Sequence, residues 1–248
     1  MLAGYLLGSC PTAVPISRRL YGSDVRGHGS GNPGATNMLR AFGWRPALAV
    51  LALDAAKGCV PALLAPWLAG EGPVPASTLG LAAGAAATVG HCCPVFAGFR
   101  GGKGVATAAG ALLATHPGAL AGGLAVFAAV LTLSRYVSAA SVGAAAAMPA
   151  ILLAFRARPD PAVPLEDVSL AAALAGIIAF THRSNLTRLR QGREPRCLRR
   201  GTARTPGGLV GRPAEPSGDD GRARVGAGRG GGAGPEGRAD ETITGGRT

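Results

Sequence analysis

Apolar runs built from Ala, Leu, Val and Gly, separated by short polar stretches, fill most of the chain up to about position 181. Several approach the roughly 20 residues that a helix needs to cross a bilayer. In lipid every backbone N–H and C=O must be satisfied internally, which leaves a bundle of helices as the natural solution for such runs. Composition agrees: 48% of residues are hydrophobic, 15% are charged and the mean hydropathy is +0.27. Aromatic residues make up only 4%, so the runs rely on small side chains, which let helices approach closely in a membrane. The expectation is an all-α polytopic membrane protein with about seven transmembrane helices.

The runs lie at 1–17, 46–69, 78–96, 105–115, 119–134, 137–155 and 168–181. The first is short for a bilayer, so either the start lies late or the span tilts into its neighbours. No charge precedes it and Arg18 and Arg19 follow it, the order of an uncleaved first span with its N-terminus outside. Residues 18–45 read as a basic loop. Asp54 and Lys57 sit one helical turn apart and can pair within the membrane. His116-Pro117-Gly118 is a turn signal. With seven spans, Arg135 and the basic run after His182 share one side with the other basic loops, and the loops poor in basic residues lie opposite. Five spans, merging 105–133, would put Arg135 on the wrong side.

From position 201 the chain turns to Gly, Arg, Pro, Asp and Glu, which cannot bury a core and read as a disordered tail. The domain reading is therefore a transmembrane unit over 1–200 and a tail over 201–248. The tail holds seven basic and six acidic residues, so nearly all of the net charge of +12 belongs to the membrane part. Cytoplasm-facing loops or a site for an anionic substrate would require that excess. Nucleic-acid binding is a poor account of it, because no aromatic residues interleave with the charges and no reader motif occurs. The five cysteines form no C-x-x-C pair, so neither zinc nor a redox motif is indicated.

Three polar stretches carry candidate chemistry. In Gly90–Thr107, His91, Arg100 and Lys103 lie among Gly101, Gly102 and Gly104. Glycines bring backbone N–H groups close to a ligand, and with Lys and Arg they form a nest for an anion such as phosphate. Lys103 is one of only two lysines among 25 basic residues, which suggests a position that needs a compact ammonium; Arg100 reads mainly as a topology charge. The second stretch, His28–Arg40, holds Ser30, Gly31, Asn32, Thr36, Asn37 and Arg40. Hydroxyls, amides and a guanidinium suit a small polyhydroxy phosphate. A plainer reading makes Thr36 a helix N-cap and Arg40 a juxtamembrane charge. In the third, His182–Glu194, His182 and Asn185 share a helix face. Gly29–Gly34 matches G-x-G-x-x-G in letter but lacks the βαβ setting of a dinucleotide site.

In order, G-S-G-N-P-G-A-T-N, G-H-x-x-P-V-F-x-x-F-R-G-G-K-G-V-A-T and H-R-x-N-L-x-R-L-x-x-G-x-E resemble the three motifs of the acyl-phosphate-dependent glycerol-3-phosphate acyltransferases, the PlsY family of bacterial inner membranes. Asp54-Ala-Ala-Lys57-Gly58 and Arg135-Tyr-Val-Ser138 are lesser matches. The resemblance implies seven transmembrane helices. It also implies acyl transfer from a fatty acyl phosphate to the 1-hydroxyl of sn-glycerol 3-phosphate, with no cofactor, at the cytoplasmic face of the bilayer. It places functional positions on Ser30, Arg40, Lys103, His182 and Asn185, with Gly31, Asn32, Thr36, Asn37, His91, Gly101, Gly102 and Gly104 around the bound phosphate. The His-x4-Asp signature of soluble-domain acyltransferases is absent. A transporter for an organic phosphate anion is the alternative, although no internal repeat is visible and the polar motifs sit at span ends.

Overall fold

A computed structural model describes residues 1–158 and 163–197; the boundary expected at 201 and the tail lie outside these residues. Ten α-helices account for the described chain, with no strand among the described residues. They are α1 (Leu2–Gly8), α2 (Ala13–Tyr21), α3 (Ala35–Phe42), α4 (Trp44–Ala69), α5 (Ala76–Cys92), α6 (Val105–Thr115), α7 (Pro117–Ser134), α8 (Val137–Arg156), α9 (Leu165–Thr181) and α10 (Arg183–Arg190). Short 3-10 turns lie at Val25–Gly27 and Val95–Ala97.

Six of the seven apolar runs each form one α-helix, but they differ in reach. α4, α5 with the 3-10 turn that follows it, α7 and α8 are long and apolar enough to cross a membrane. α9 and α10 make a fifth crossing if this pair, bent by 58°, counts as one span. α6 has 11 residues and is only about 16 Å long at the α-helical rise. It starts at Gly104, whose φ of +80° is left-handed, and ends where Pro117 opens α7. Its neighbours α4 and α5 surround it, so protein rather than lipid covers much of its length. The first run does not form one tilted span. It divides at Pro11 into α1 and α2, because proline has no N–H and disfavours helix in the residue before it. The basic stretch 18–45 is likewise not simply a loop: it carries the end of α2, a 3-10 turn, α3 and the start of α4.

Small residues set the packing. A methyl group at Gly58 of α4 would collide with the Thr107 carbonyl of α6, and one at Gly110 of α6 with the Ala55 carbonyl of α4. The two backbones therefore lie against each other, as small-residue membrane interfaces allow. Leu81, Ala111, Leu112, Leu152 and Leu174 form the main buried core, from α5, α6, α8 and α9. Ala13, Val25, Met38, Ala47 and Val50 form a second core at one end of the bundle, which fixes the segment between α2 and α4. Outward, Leu133 and Phe180 are exposed, as are Trp44 and Trp67 near opposite ends of α4, where interfacial tryptophans belong.

Candidate functional site

Three polar segments converge at the end of the bundle that carries the second core. The first is the 24–34 segment. Asp24 Oδ1 accepts the Arg26 N–H at 2.9 Å, and its carboxylate pairs with Arg18 and Arg26, both at 2.8 Å. These cations hold its pKa well below the usual carboxylate range, the Arg26 side-chain bond contributing most. Asn37, 2% exposed, ties the segment to α3. Its amide donates to the Val25 and His28 carbonyls at 3.0 and 2.9 Å, and its carbonyl accepts the Ser30 N–H at 3.0 Å. Ser30, Gly31 and Asn32 are thereby presented along one wall.

The second segment runs from Pro94 to Gly104. The Gly102 N–H donates to the His91 carbonyl at 3.0 Å, and a methyl group at Gly101 or Gly102 would overlap His91 itself. Only glycine allows this approach, so the loop folds tightly over the end of α5 and delivers Lys103 inward. The third segment follows α9. Asn185 is 4% exposed on the first turn of α10. Its Oδ1 accepts from Lys103 Nζ, and its Nδ2 donates to Glu194 Oε1 at 2.6 Å. Glu194, 7% exposed, also accepts from Ser138 Oγ and Arg188 Nε, both at 2.9 Å. Burial raises the Glu194 pKa, but the bonds from Asn185, Arg188 and Ser138 outweigh it and hold the carboxyl below its ordinary value. The network also fixes the Asn185 amide: an ammonium can only donate and a carboxylate can only accept.

These segments enclose a cavity of about 470 Å³ lined by Ser30, Gly31, Asn32, Pro33, Arg26, Arg100, Gly101, Lys103, Thr181, Ser184, Asn185 and Arg188. Among the candidates from sequence, Ser30, Gly31, Asn32, Gly101, Lys103 and Asn185 line it directly. Arg40 stands behind, with a guanidinium nitrogen 3.4 Å from the Pro195 carbonyl. His182 is buried, and its Nδ1 lies 2.8 Å from the Ile178 carbonyl. A carbonyl can only accept, so Nδ1 carries the proton and Nε2 is the free lone pair. Gly102 lines two neighbouring cavities instead, and Gly104 caps α6 against Thr88 and Cys92.

Two assignments change. Asn37 is spent on the backbone of its own segment and shapes the site instead of facing a ligand. Thr36 is not the N-cap of α3, since Gly34 holds that position without a side-chain cap, and Thr36 does not line the cavity. Conversely, Arg26, Arg100 and Arg188 line the cavity, although the sequence reads Arg26 as part of a basic loop and Arg100 mainly as a topology charge. Arg100 and Arg188 stand inside the motif matches, while the sequence signal of Arg26 is only closeness to the first motif. Glu194 and Ser138 were visible within motif matches, but nothing in the sequence joined them to each other.

Lys103 lies in the loop, and burial lowers its pKa to about 8. The charge of Glu194 opposes that fall, and Arg188 and Arg40 add to it. An ammonium with this pKa is mostly charged at pH 7 and loses its charge as pH rises through about 8. A phosphate bound beside the ammonium would stabilise its charged form, so the ligand-free protein should show the effect. The Kd for a phosphate-bearing ligand, measured by titration calorimetry, is expected to rise above that pH. Lys103→Arg, which stays charged, should show no such rise. A steep rise retained in Lys103→Arg would assign the titration to another group.

Beside this cavity a larger cleft of about 770 Å³ opens between α5 and α9. Val89, Cys92, Phe99, Ile177 and Phe180 form its apolar wall, and Arg100, Lys103 and Arg183 its polar end. Fold and site together define an integral membrane protein with a cationic chamber at one end that opens onto an apolar cleft.

Residues 1–192 match the family model described as glycerol-3-phosphate acyltransferase. The chain is 42% identical over 208 residues to the glycerol-3-phosphate acyltransferase of Salinibacter ruber, covering 78% of this chain and 89% of that one. It is 44% identical over 194 residues to glycerol-3-phosphate acyltransferase 2 of Moorella thermoacetica, covering 78% and 94%. Among solved structures it is similar to the glycerol 3-phosphate form of PlsY (YgiH), an integral membrane glycerol 3-phosphate acyltransferase. The TM-score is 0.70 at 37% identity, covering 79% of this chain and 92% of that one. The lysophosphatidic acid form of that protein gives 0.68 at 35% identity, with the same coverage. This chain belongs to the glycerol-3-phosphate acyltransferase family.

Proposed function

We propose that this protein transfers a fatty acyl group from acyl phosphate to the 1-hydroxyl of sn-glycerol 3-phosphate, releasing lysophosphatidic acid and phosphate. The observation that carries the reading is the junction of the chamber and the cleft at Lys103. A phosphate-bearing polyol fits the cationic chamber, and a ligand with an anionic head and an apolar chain fits the cleft with its head at Arg100 and Lys103. The related PlsY has been solved in forms with glycerol 3-phosphate and lysophosphatidic acid, which supports the same two ligand types here.

Acyl phosphate is a mixed anhydride with a good leaving group, so an enzyme nucleophile is unnecessary. The hydroxyls and imidazoles agree with direct attack. Among the described residues Ser30 makes a hydrogen bond through its backbone N–H to Asn37 Oδ1 and none from its hydroxyl to an imidazole, the contact that a catalytic triad needs. In the proposed step the 1-hydroxyl adds to the acyl carbonyl, the carbonyl–phosphate bond breaks and phosphate departs. Lys103 and Arg40 stabilise phosphate charge, joined by Arg100 and Arg188, and Ser30 and Asn185 orient the glycerol. The proton passes to a phosphate oxygen or to His182 Nε2. A phosphate transporter would place its site near the bilayer midplane between repeated halves, whereas this chamber is built by loops at one end of the bundle.

Donor choice tests the reading. Purified protein given labelled glycerol 3-phosphate should form lysophosphatidate with a synthetic acyl phosphate and not with acyl-CoA; equal rates with acyl-CoA would overturn it. We place the chamber on the cytoplasmic face of the bacterial inner membrane, following the basic loops. Single cysteines at Arg26, Arg100 and Ser184, each introduced into a cysteine-free variant, should resist an impermeant thiol reagent in intact cells and react after permeabilisation. Labelling of any one from outside would reject the shared face.

A further inference from the structure

Outside the chamber, the described residues hold a buried ion pair, Asp54 and Lys57, with the His91 imidazole beside it. Asp54 and Lys57 on α4 are 2% and 6% exposed, and His91 on α5 is 8% exposed. Lys57 Nζ donates to Asp54 Oδ1 at 2.7 Å and to Thr12 Oγ1 at 3.2 Å; Thr12 in turn donates to Asp54 Oδ1 at 2.7 Å. His91 Nδ1 lies 3.6 Å from the same Asp54 oxygen. The other side of the imidazole is covered by the glycine loop. Its Nε2 lies where a Gly102 methyl group would be, and its backbone carbonyl takes the Gly102 N–H.

A buried ion pair is weak evidence for stability, because desolvation can cancel its attraction and apolar replacements are often as stable. The cluster therefore calls for an account other than stability, and its geometry supplies one. Asp54 lies against the His91 ring at 3.6 Å, a contact and not a hydrogen bond; the ring is the floor on which Gly102 rests, and Lys103 is the next residue. α6, which begins directly after this loop, is held to the same α4 by the Gly58 and Gly110 contacts. Both ends of the Lys103 loop are thus referred to one helix.

We propose that Asp54, Lys57 and His91 are positioning residues, which set the height and direction of Lys103 through the contact of His91 with Gly102. The proposal rests on the reading that Lys103 serves the transferase reaction, and it makes His91 a support of the phosphate site instead of a ligand to the phosphate. No part of it requires the cluster to touch substrate.

The test is a double-mutant cycle on the full-length protein in detergent, assayed with glycerol 3-phosphate and acyl phosphate. Asp54→Asn should lower kcat/KM by about tenfold or more, and the same change in a His91→Ala background by less than about twofold, since residues acting in series are non-additive. Gly102→Ala should be severely impaired and partly restored by His91→Ala, which vacates the space the methyl group needs. Thermal unfolding of each variant separates loss of fold from loss of position. If Asp54→Asn does not fold, the charge-neutral pair Asp54→Leu/Lys57→Met replaces it in the cycle, because removing both partners avoids an unpaired buried charge. Additive losses, or no rescue of Gly102→Ala, would overturn the proposal. Lys103→Ala, run in parallel, distinguishes the two failures: full activity there rejects the role of Lys103, while the cycle still reports whether Asp54 acts through His91.

Discussion

Replacing Lys103 by alanine is expected to lower kcat/KM on the order of a hundredfold or more while the protein still inserts and folds. Its Nζ sits on Asn185 Oδ1 at the edge of the chamber, and it also borders the apolar cleft. Arg100 borders both spaces as well, but only Lys103 is held by Asn185. Losing one preorganised donor to developing negative charge typically costs about 3–4 kcal/mol, which is a hundredfold to a thousandfold. Lys103→Arg should recover little. The guanidinium is broad and planar, while the loop is held against His91 so closely that Gly101 and Gly102 have no room even for a methyl group. Arg100→Ala removes the same charge from the same loop. Because Arg100 lines the chamber as well, its loss should be measurable but smaller than that of Lys103. Steady-state kinetics on the three variants, with thermal unfolding as the folding control, decides the matter. Equal and mild losses would reduce the loop to a basic membrane-surface segment.

Removing Glu194 should have an effect of similar size by a different route. Glu194 does not itself line the chamber, yet it takes hydrogen bonds from Ser138 and from two residues that do, Asn185 and Arg188. Glu194→Ala leaves these donors facing a void, at about 1–3 kcal/mol for each buried group left unsatisfied. It also frees the Asn185 amide to rotate, so that Lys103 no longer meets a fixed oxygen. Activity should fall about a hundredfold, and the unfolding temperature in detergent should drop as well. Glu194→Gln keeps the volume and one acceptor oxygen, but it turns an NH2 group toward existing donors and loses the charge that Arg188 pairs with. It should fall between wild type and alanine. Activity of Glu194→Ala within twofold of wild type would show that Asn185 needs no support.

Much of this was legible in the residues because it is local. Apolar runs of Ala, Leu and Val placed the helices nearly where they occur, since lipid forces the backbone to satisfy itself within each segment. His116-Pro117 broke α6 from α7 as the absent proline N–H requires. Asp54 and Lys57 pair because they stand three positions apart on one helix. What escaped were distances across the sequence. Asn37 looked like a ligand-binding amide because its type and its glycine-rich neighbours suit one. Only the return of the Val25–Ser30 backbone onto α3 shows that its hydrogen bonds are already spent. Arg100 looked like a topology charge because hydropathy carries no information on which way a loop folds.

The sequence by itself determined the class of molecule, the order of its helices and the three segments that carry polar chemistry. These follow from short-range physics: hydrogen-bond satisfaction in lipid, the backbone limits of proline and glycine, and the chemical character of each side chain. Tertiary structure alone decided that Lys103 meets Asn185, that Asn185 is held by Glu194, and that His91 faces Asp54 on one side and Gly102 on the other. Those pairings join positions 82, 9, 37 and 11 residues apart. They depend on how closely α4, α5, α6 and α9 pack, and that is set by small residues whose role appears only when the helices are brought together.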